Sequence, residues 1–128
     1  MSEQYTASLK LAEKMLGERA ALALRSSLTS AKFGMRRGEL TLDFVLDKLW
    51  SRPGLDLRAR SLVTLGILIA LGQLDELKTQ VMAAVRNGCT IDEIDEALLH
   101  STAYAGFPRA SQATAAAAET LKAHGLID

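Results

Sequence analysis

Two pairs of polar side chains stand at helical spacing in the second half of the chain and could line one cleft. Glu76 and Gln80 are four residues apart, and so are His100 and Tyr104. Residues four apart project from one face of a helix, so each pair shares a face. A histidine in an apolar cleft is suited to proton transfer near neutral pH, and a glutamate can orient that histidine or its substrate. The pattern favours a small metabolic enzyme.

Each of these residues also has a purely structural interpretation. Spacing alone favours Glu76 as a solvated surface charge, and it favours the same for Gln80 more strongly. We expect the helix that carries His100 to be largely buried, where a core histidine with a hydrogen-bonding partner is an equal alternative. Tyr104 could cover the core while its hydroxyl reaches water.

Three arginines surround the start of the most apolar segment, at positions 52, 58 and 60. A guanidinium in such a place can bind a substrate carboxylate through two hydrogen bonds. It can also pair with Asp56 or extend along the surface to solvent. From the residues alone, we expect one of Arg52, Arg58 and Arg60 to be functional.

Length and composition exclude several classes of protein. The chain of 128 residues suits a single domain, residues 1–128. Its 15 basic and 15 acidic side chains produce no net field that would attract nucleic acid or anionic lipid. The N-terminus lacks a basic segment followed by an apolar one, which favours the cytoplasm.

The cysteine and histidine content argues against disulfide, dithiol and metal chemistry. The single cysteine, Cys89, forms neither an intrachain disulfide nor a Cys-x-x-Cys pair, and this fits a reducing interior. Cys89, His100 and His124 lack the spacing of zinc ligands, so we expect no metal. His124 is interpreted as a terminal residue without a role.

Apolar spacing and helix-stop residues predict an all-α fold of about six helices, since no period-2 alternation indicates a strand. The expected helices cover Tyr5–Leu16, Thr41–Trp50 with Thr41 as N-cap, Asp56 as N-cap to Leu71, Gln73–Arg86, Thr90–Tyr104 with a Thr90/Glu93 capping box, and about Arg109–Ala123. Serine, threonine and glycine residues predict an irregular connection over Ala20–Gly38.

The segment 62–71 is apolar on every side but far shorter than the roughly 20 residues that cross a bilayer. It is interpreted as a buried helix, ending at Gly72 as a left-handed stop. A helix without a polar face must be covered all round, and a domain this small can barely do so alone. Self-association is the expected remedy, and the alanine-rich last helix could also form a subunit contact.

Five motifs occur in an order and spacing that resemble the carboxymuconolactone decarboxylase family over residues 42–121. They are Trp50-x-Arg52-Pro53-Gly54-Leu55-Asp56, Arg58-x-Arg60-Ser61-Leu62, Ala70-Leu71 with Glu76-Leu77, Gly88-x-Thr90-x-x-Glu93-Ile94 and Tyr104-x-Gly106-x-Pro108. The resemblance implies a helical fold like that of alkylhydroperoxidase D. It also implies a ring-like homo-oligomer, trimer or hexamer, with sites near subunit boundaries.

The resemblance further implies a reaction without a cofactor. The reaction is the decarboxylation of 4-carboxymuconolactone to the enol-lactone of 3-oxoadipate, in the β-ketoadipate route of protocatechuate breakdown. The implied proton donor is His100, with Glu76 orienting it or the substrate. The implied substrate-binding residues are Arg60, Arg52, Gln80, Tyr104 and Trp50.

The chain departs from the family at Gln80, where members commonly have histidine. Glutamine transfers no proton near neutral pH, so either His100 carries the proton alone or the chain acts on another small lactone or oxo-acid. A non-catalytic binding protein of the same fold is the alternative from another class. Thiol peroxidase activity would need two cysteines near Gln73 and Glu76, and neither is present.

Overall fold

The computed structural model describes residues 2–128, with side chains from Gln4 onwards. Met1 lies outside the described residues. It is the first residue of the N-terminal segment that is expected to carry no export signal. The chain divides between Asp56 and Leu57 into two compact helical units. All regular structure in the described residues is helical, which confirms the all-α class. The single domain over residues 1–128 stays a prediction.

The first unit consists of three α-helices and a wider helical segment. Helix α1 covers Ser2–Leu16, α2 covers Glu18–Ser27, and α3 covers Arg37–Leu40 and continues directly as a π-helix over Thr41–Trp50. Its buried apolar side chains are Leu9, Ala12, Met15, Leu42 and Leu46, together with Tyr5 and Ala21.

Tyr5 ties α1 to α3. Its hydroxyl donates a hydrogen bond to Oε1 of Glu39 at 3.3 Å. Burial, and then the Glu39 carboxylate, raise the pKa of this phenol above its usual value.

Two expectations for this unit are wrong. The region Ala20–Gly38 is not irregular throughout, because α2 extends to Ser27 and turns occupy only the following residues. Its alanines and leucines favour helix, and the Ser27 hydroxyl is satisfied within the helix by the Leu24 carbonyl at 2.6 Å. Thr41 is not an N-cap either, since it has helical dihedrals and its hydroxyl donates to the Arg37 carbonyl at 3.1 Å.

The second unit contains the remaining four helices. They are α4 (Leu57–Leu71), α5 (Leu74–Arg86), α6 (Ile91–Ala105) and α7 (Phe107–Ala123). Helix α7 packs on both α5 and α6 through its alanines, because small side chains let helices approach closely. The alanines that face inward are Ala110, Ala113, Ala116 and Ala117. This face is used within the unit, where a subunit contact had been considered.

The predicted boundaries of these helices are confirmed to within about two residues. Gly72 ends α4 with a φ of 69°, and Gly106 separates α6 from α7 with a φ of 94°. Arg109 donates from Nη1 to the Leu71 carbonyl at 3.2 Å and so satisfies the exposed end of α4. Counting the π-helix with α3, the described chain has seven helices, and the unexpected one is α2.

Helix α4 is covered on one side only. Ser61, Leu65 and Ile69 are buried, but Val63, Ile67 and Leu71 are 54%, 53% and 59% exposed. These three residues, called here the α4 stripe, lie at spacings of four on one face of the helix. A single chain therefore leaves an apolar stripe in water. None of the helices in residues 2–128 is long and apolar enough to cross a membrane.

The start of α6 is a reciprocal capping box, as predicted. The Glu93 amide donates to Thr90 Oγ1 at 3.0 Å, and the Thr90 amide donates to Glu93 Oε1 at 2.9 Å.

We expect Thr90→Ala to lower the free energy of unfolding by about 1 kcal/mol, because it removes one hydrogen-bond acceptor for the amides at the start of α6. Urea unfolding followed by circular dichroism measures this. Thr90→Ser is the control, and an equal loss in both variants would contradict the capping role.

Candidate active site

A groove of about 540 Å³ runs between α4 and α6 and contains His100. Leu62 and Gly66 line it from α4, while Asp92, Glu96 and His100 line it from α6. The three α6 residues are spaced four apart, which puts them on one face of the helix. An ionisable imidazole thus stands at one end of a row of carboxylates.

His100 is exposed within the chain, so the expectation that its helix buries it is wrong. Helix α6 uses Ile94 and Leu98 for the core, and His100 lies about 200° around the helix from Leu98. The ring centroids of His100 and Tyr104 are 5.4 Å apart at 39°, which confirms that the two share a face. Tyr104 is 84% exposed and does not cover the core.

The groove is acidic. Of its three carboxylates, Glu93 is neutralised by an ion pair with Arg58, whose Nε also donates to Glu93 Oε1 at 3.2 Å. Asp92 and Glu96 add two further negative charges to the wall. A dicarboxylic ligand near His100 therefore requires cationic groups from beyond this wall.

Of the three arginines singled out in the sequence, Arg58 has a structural role. Its ion-pair partner is Glu93, whereas the sequence also allowed a pair with Asp56. Arg60 is half-buried on α4 and does not line the His100 groove. In the first unit, Arg52 is exposed, and Trp50 is half-buried at the end of the π-helix.

Glu76 and Gln80 form a hydrogen-bonded pair on α5. The Gln80 side chain donates from Nε2 to Glu76 Oε1 at 3.1 Å, which confirms that the two share a face. Glu76 is exposed and Gln80 is half-buried. The Gln80 Oε1 atom is buried and has no hydrogen-bond partner among the described residues. Neither residue lines the groove that contains His100.

Sequence reasoning missed two polar features of this unit. Asn87 donates from Nδ2 to Ser61 Oγ at 3.0 Å in a buried contact, and its Oδ1 has no partner in the described chain. No pattern in the sequence indicates this pair, because Asn87 looks like an ordinary helix-stop residue. The carboxylates of Asp92 and Glu96 were also passed over, although their spacing to His100 was visible.

Cys89 and His124 each contact a neighbouring backbone carbonyl group. Cys89 is 5% exposed, and its thiol donates to the Arg58 carbonyl at 3.5 Å. His124 follows α7, and its Nδ1 lies 2.9 Å from the Thr120 carbonyl oxygen. Over residues 2–128, no group of three or more histidine, cysteine, aspartate or glutamate side chains is arranged to hold a metal ion.

Comparison with known proteins shows which class of protein carries these features. Residues 38–119 match the carboxymuconolactone decarboxylase family. This match begins in α3 and ends in the last part of α7, and it includes the Glu76–Gln80 pair and the His100 groove. The chain belongs to the carboxymuconolactone decarboxylase family.

Two relatives extend the similarity to nearly the whole chain. The 4-carboxymuconolactone decarboxylase of Acinetobacter baylyi is 36% identical over 124 residues, which is 97% of this chain and 91% of the relative. The nitrosuccinic acid decarboxylase of Metarhizium robertsii is 34% identical over 118 residues, which is 91% of this chain and 80% of the relative. Both relatives are named as decarboxylases.

The burial of Cys89 predicts its reactivity. We expect a disulfide reagent such as Ellman's reagent to react slowly with the folded protein and to release one thiol equivalent after unfolding in guanidinium. The reason is that a thiol buried in an apolar core is shielded from attack by the reagent. Absorbance at the thionitrobenzoate band follows both reactions. Rapid stoichiometric labelling of the native protein would contradict the buried placement.

Proposed function

We propose that the protein is a cofactor-independent decarboxylase, a carbon–carbon lyase, that converts 4-carboxymuconolactone to the enol-lactone of 3-oxoadipate. Its place is the β-ketoadipate route of protocatechuate breakdown, in the cytoplasm. The observation that carries the proposal is the 36% identity, over almost the full length of both chains, to a protein named for this activity.

The proposed substrate supplies its own electron sink. When the bond to the carboxylate breaks, carbon dioxide leaves and the electron pair passes through the ring double bond onto the lactone carbonyl oxygen. A proton then adds to the carbon next to that carbonyl, which gives the enol-lactone. This electron acceptance is what a cofactor would otherwise provide, so the protein needs only to bind, stabilise charge and return a proton.

His100 is the proposed proton donor, with Glu76 orienting it or the substrate. An imidazole exchanges protons near neutral pH, whereas the Gln80 amide does not. A donor directed at the growing charge on the lactone oxygen contributes roughly 3 kcal/mol, a role that suits Tyr104 or an arginine. Arg60 and Arg52 are proposed to bind the carboxylates, and Gln80 and Trp50 to complete the substrate site.

A homo-oligomer, trimer or hexamer, is part of the proposal. The α4 stripe is a little more than half exposed in one chain, so covering the exposed part of each side chain favours association by about 1 kcal/mol, roughly half the value for full burial. His100 and Tyr104 are also exposed, and the groove that His100 lines lacks a cationic wall for a dicarboxylate. A second copy that covers these surfaces would exclude water and supply the missing groups.

A second substrate belongs in the same assay because one relative is named for it. Nitrosuccinic acid, like the lactone, is a small dicarboxylic acid with an electron-accepting group, here a nitro group on the carbon that bears one carboxylate. The similarity of 34% over 91% of this chain favours testing it. Saturable lactone binding without carbon dioxide release would instead support a non-catalytic binding protein.

We expect His100→Gln to lower the turnover of 4-carboxymuconolactone by about 10²–10⁴-fold, because the variant has no acid that can protonate the carbon. Loss of lactone absorbance together with carbon dioxide release measures the rate. His124→Gln is the matched control, since His124 follows α7 and its Nδ1 contacts the Thr120 carbonyl of that helix. Full turnover by His100→Gln would contradict the assignment.

We expect Ile67→Asp to reduce the molar mass in solution to that of a single chain of 13.8 kDa, or to weaken assembly strongly. A carboxylate in the middle of the α4 stripe would have to be desolvated on association. Size-exclusion chromatography with light scattering measures the mass. Gln112→Asp, at an exposed position of α7, serves as the control for added charge. A wild-type protein that is already monomeric would refute the role of the stripe.

A further inference from the structure

We infer that Gln80 is a positioning residue for Glu76: its side-chain amide holds the Glu76 carboxylate as a hydrogen-bond acceptor, so that Glu76 orients other groups and is not the proton donor. The inference rests on the proposed decarboxylation and makes the role of Gln80 in it more specific. Three observations on α5 and a comparison with Asn87, which follows that helix, bear on it.

The first observation is the direction of the amide. Gln80 turns Nε2 towards Glu76 Oε1 at 3.1 Å and leaves Oε1 on the other side. The reverse orientation would place the amide oxygen against a carboxylate oxygen, with no hydrogen between them. The Glu76 carboxylate therefore determines which way the amide points, and the contact requires Glu76 to accept.

The second observation is that this orientation leaves Gln80 Oε1 buried and without a partner in the described chain. A buried acceptor without a hydrogen bond destabilises the folded state, and an apolar side chain of similar size would avoid that penalty. Gln80 thus contributes its amide hydrogen to Glu76 at the expense of stability.

The third observation concerns the freedom of Glu76. Its side chain is exposed, so without a tether it would sample several rotamers, whereas Gln80 is half-buried one turn further along. The nearby cation Lys78 is paired with Glu119 of α7, Nζ to Oε2, at 3.1 Å. The amide hydrogen bond thus restricts an otherwise mobile carboxylate to a small set of conformations.

The fourth observation is an internal comparison with Asn87. This carboxamide lies seven residues after Gln80, about 10 Å along the axis of α5, and its oxygen likewise has no partner among the described residues. Its amide hydrogen, however, goes to the neutral Ser61 hydroxyl at 3.0 Å. Asn87 is therefore a control for the effect of a buried carboxamide that does not act on a carboxylate.

The experiment compares two variants. Gln80→Met removes the hydrogen-bond donor to Glu76, and Gln80→His replaces the amide donor by a ring N–H. For 4-carboxymuconolactone we expect Gln80→Met to lower kcat about tenfold and to change KM much less, because the main loss is the orientation of the Glu76 carboxylate. Gln80→His should recover most of the lost kcat. Asn87→Leu should lower the melting temperature and leave kcat unchanged.

A double-mutant cycle tests whether Gln80 acts through Glu76. In the Glu76→Gln background, Gln80→Met should cause no further loss of kcat, because the carboxylate that the amide positions is absent. Losses that multiply would overturn the inference, because Gln80 would then act independently. A wild-type kcat for Gln80→Met would overturn it as well, while leaving the decarboxylase itself established.

Two further readouts complete the test. If the wild-type protein releases carbon dioxide from neither the lactone nor nitrosuccinic acid, the proposed function fails and the positioning role fails with it. Independently of any substrate, the side-chain amide protons of Gln80 should differ in chemical shift from those of the exposed Gln4 and Gln112, and this difference should change in Glu76→Gln. Shifts equal to those of the exposed glutamines would overturn the inference.

Discussion

The geometry of the second unit depends on the interactions that the Glu93 carboxylate makes. It accepts the Thr90 amide hydrogen at the first turn of α6, pairs with Arg58 at the first turn of α4, and lines the groove between the two helices. One side chain thus defines where α6 begins and joins its start to α4. The position of His100, two turns further along the same wall, follows from that joint.

The elements of the second unit were predictable because each is specified by local chemistry. Gly72 supplies a left-handed stop, Thr90 and Glu93 form a capping box, and Gly106 separates two helices. Prediction failed where local signals compete: serines near Ser27 suggested a break, but α2 satisfies that hydroxyl internally. Thr41 looked like an N-cap because sequence does not show that the helix before it continues without interruption.

For the candidate site, the sequence predicted which residues share a helix face, but it did not predict which residues line the same groove. Spacing correctly paired Glu76 with Gln80 and His100 with Tyr104, because helical periodicity determines such neighbours. The predicted burial of the helix around His100 was wrong, because burial depends on which face of α6 packs against the core. The use of Arg58 by Glu93 depends on contacts 35 residues apart. Long-range pairing of this kind has no signature in a single sequence.

The C-terminal end of α4 limits which residues can occupy positions 72 and 109. A side chain at Gly72 would occupy the space through which the Arg109 guanidinium passes on its way to the Leu71 carbonyl, and the backbone there has a positive φ. Any larger residue at position 72 would displace Arg109 and leave that carbonyl without its donor. These two positions, 37 residues apart, are therefore expected to covary across related chains, with arginine at one tolerated only beside glycine at the other.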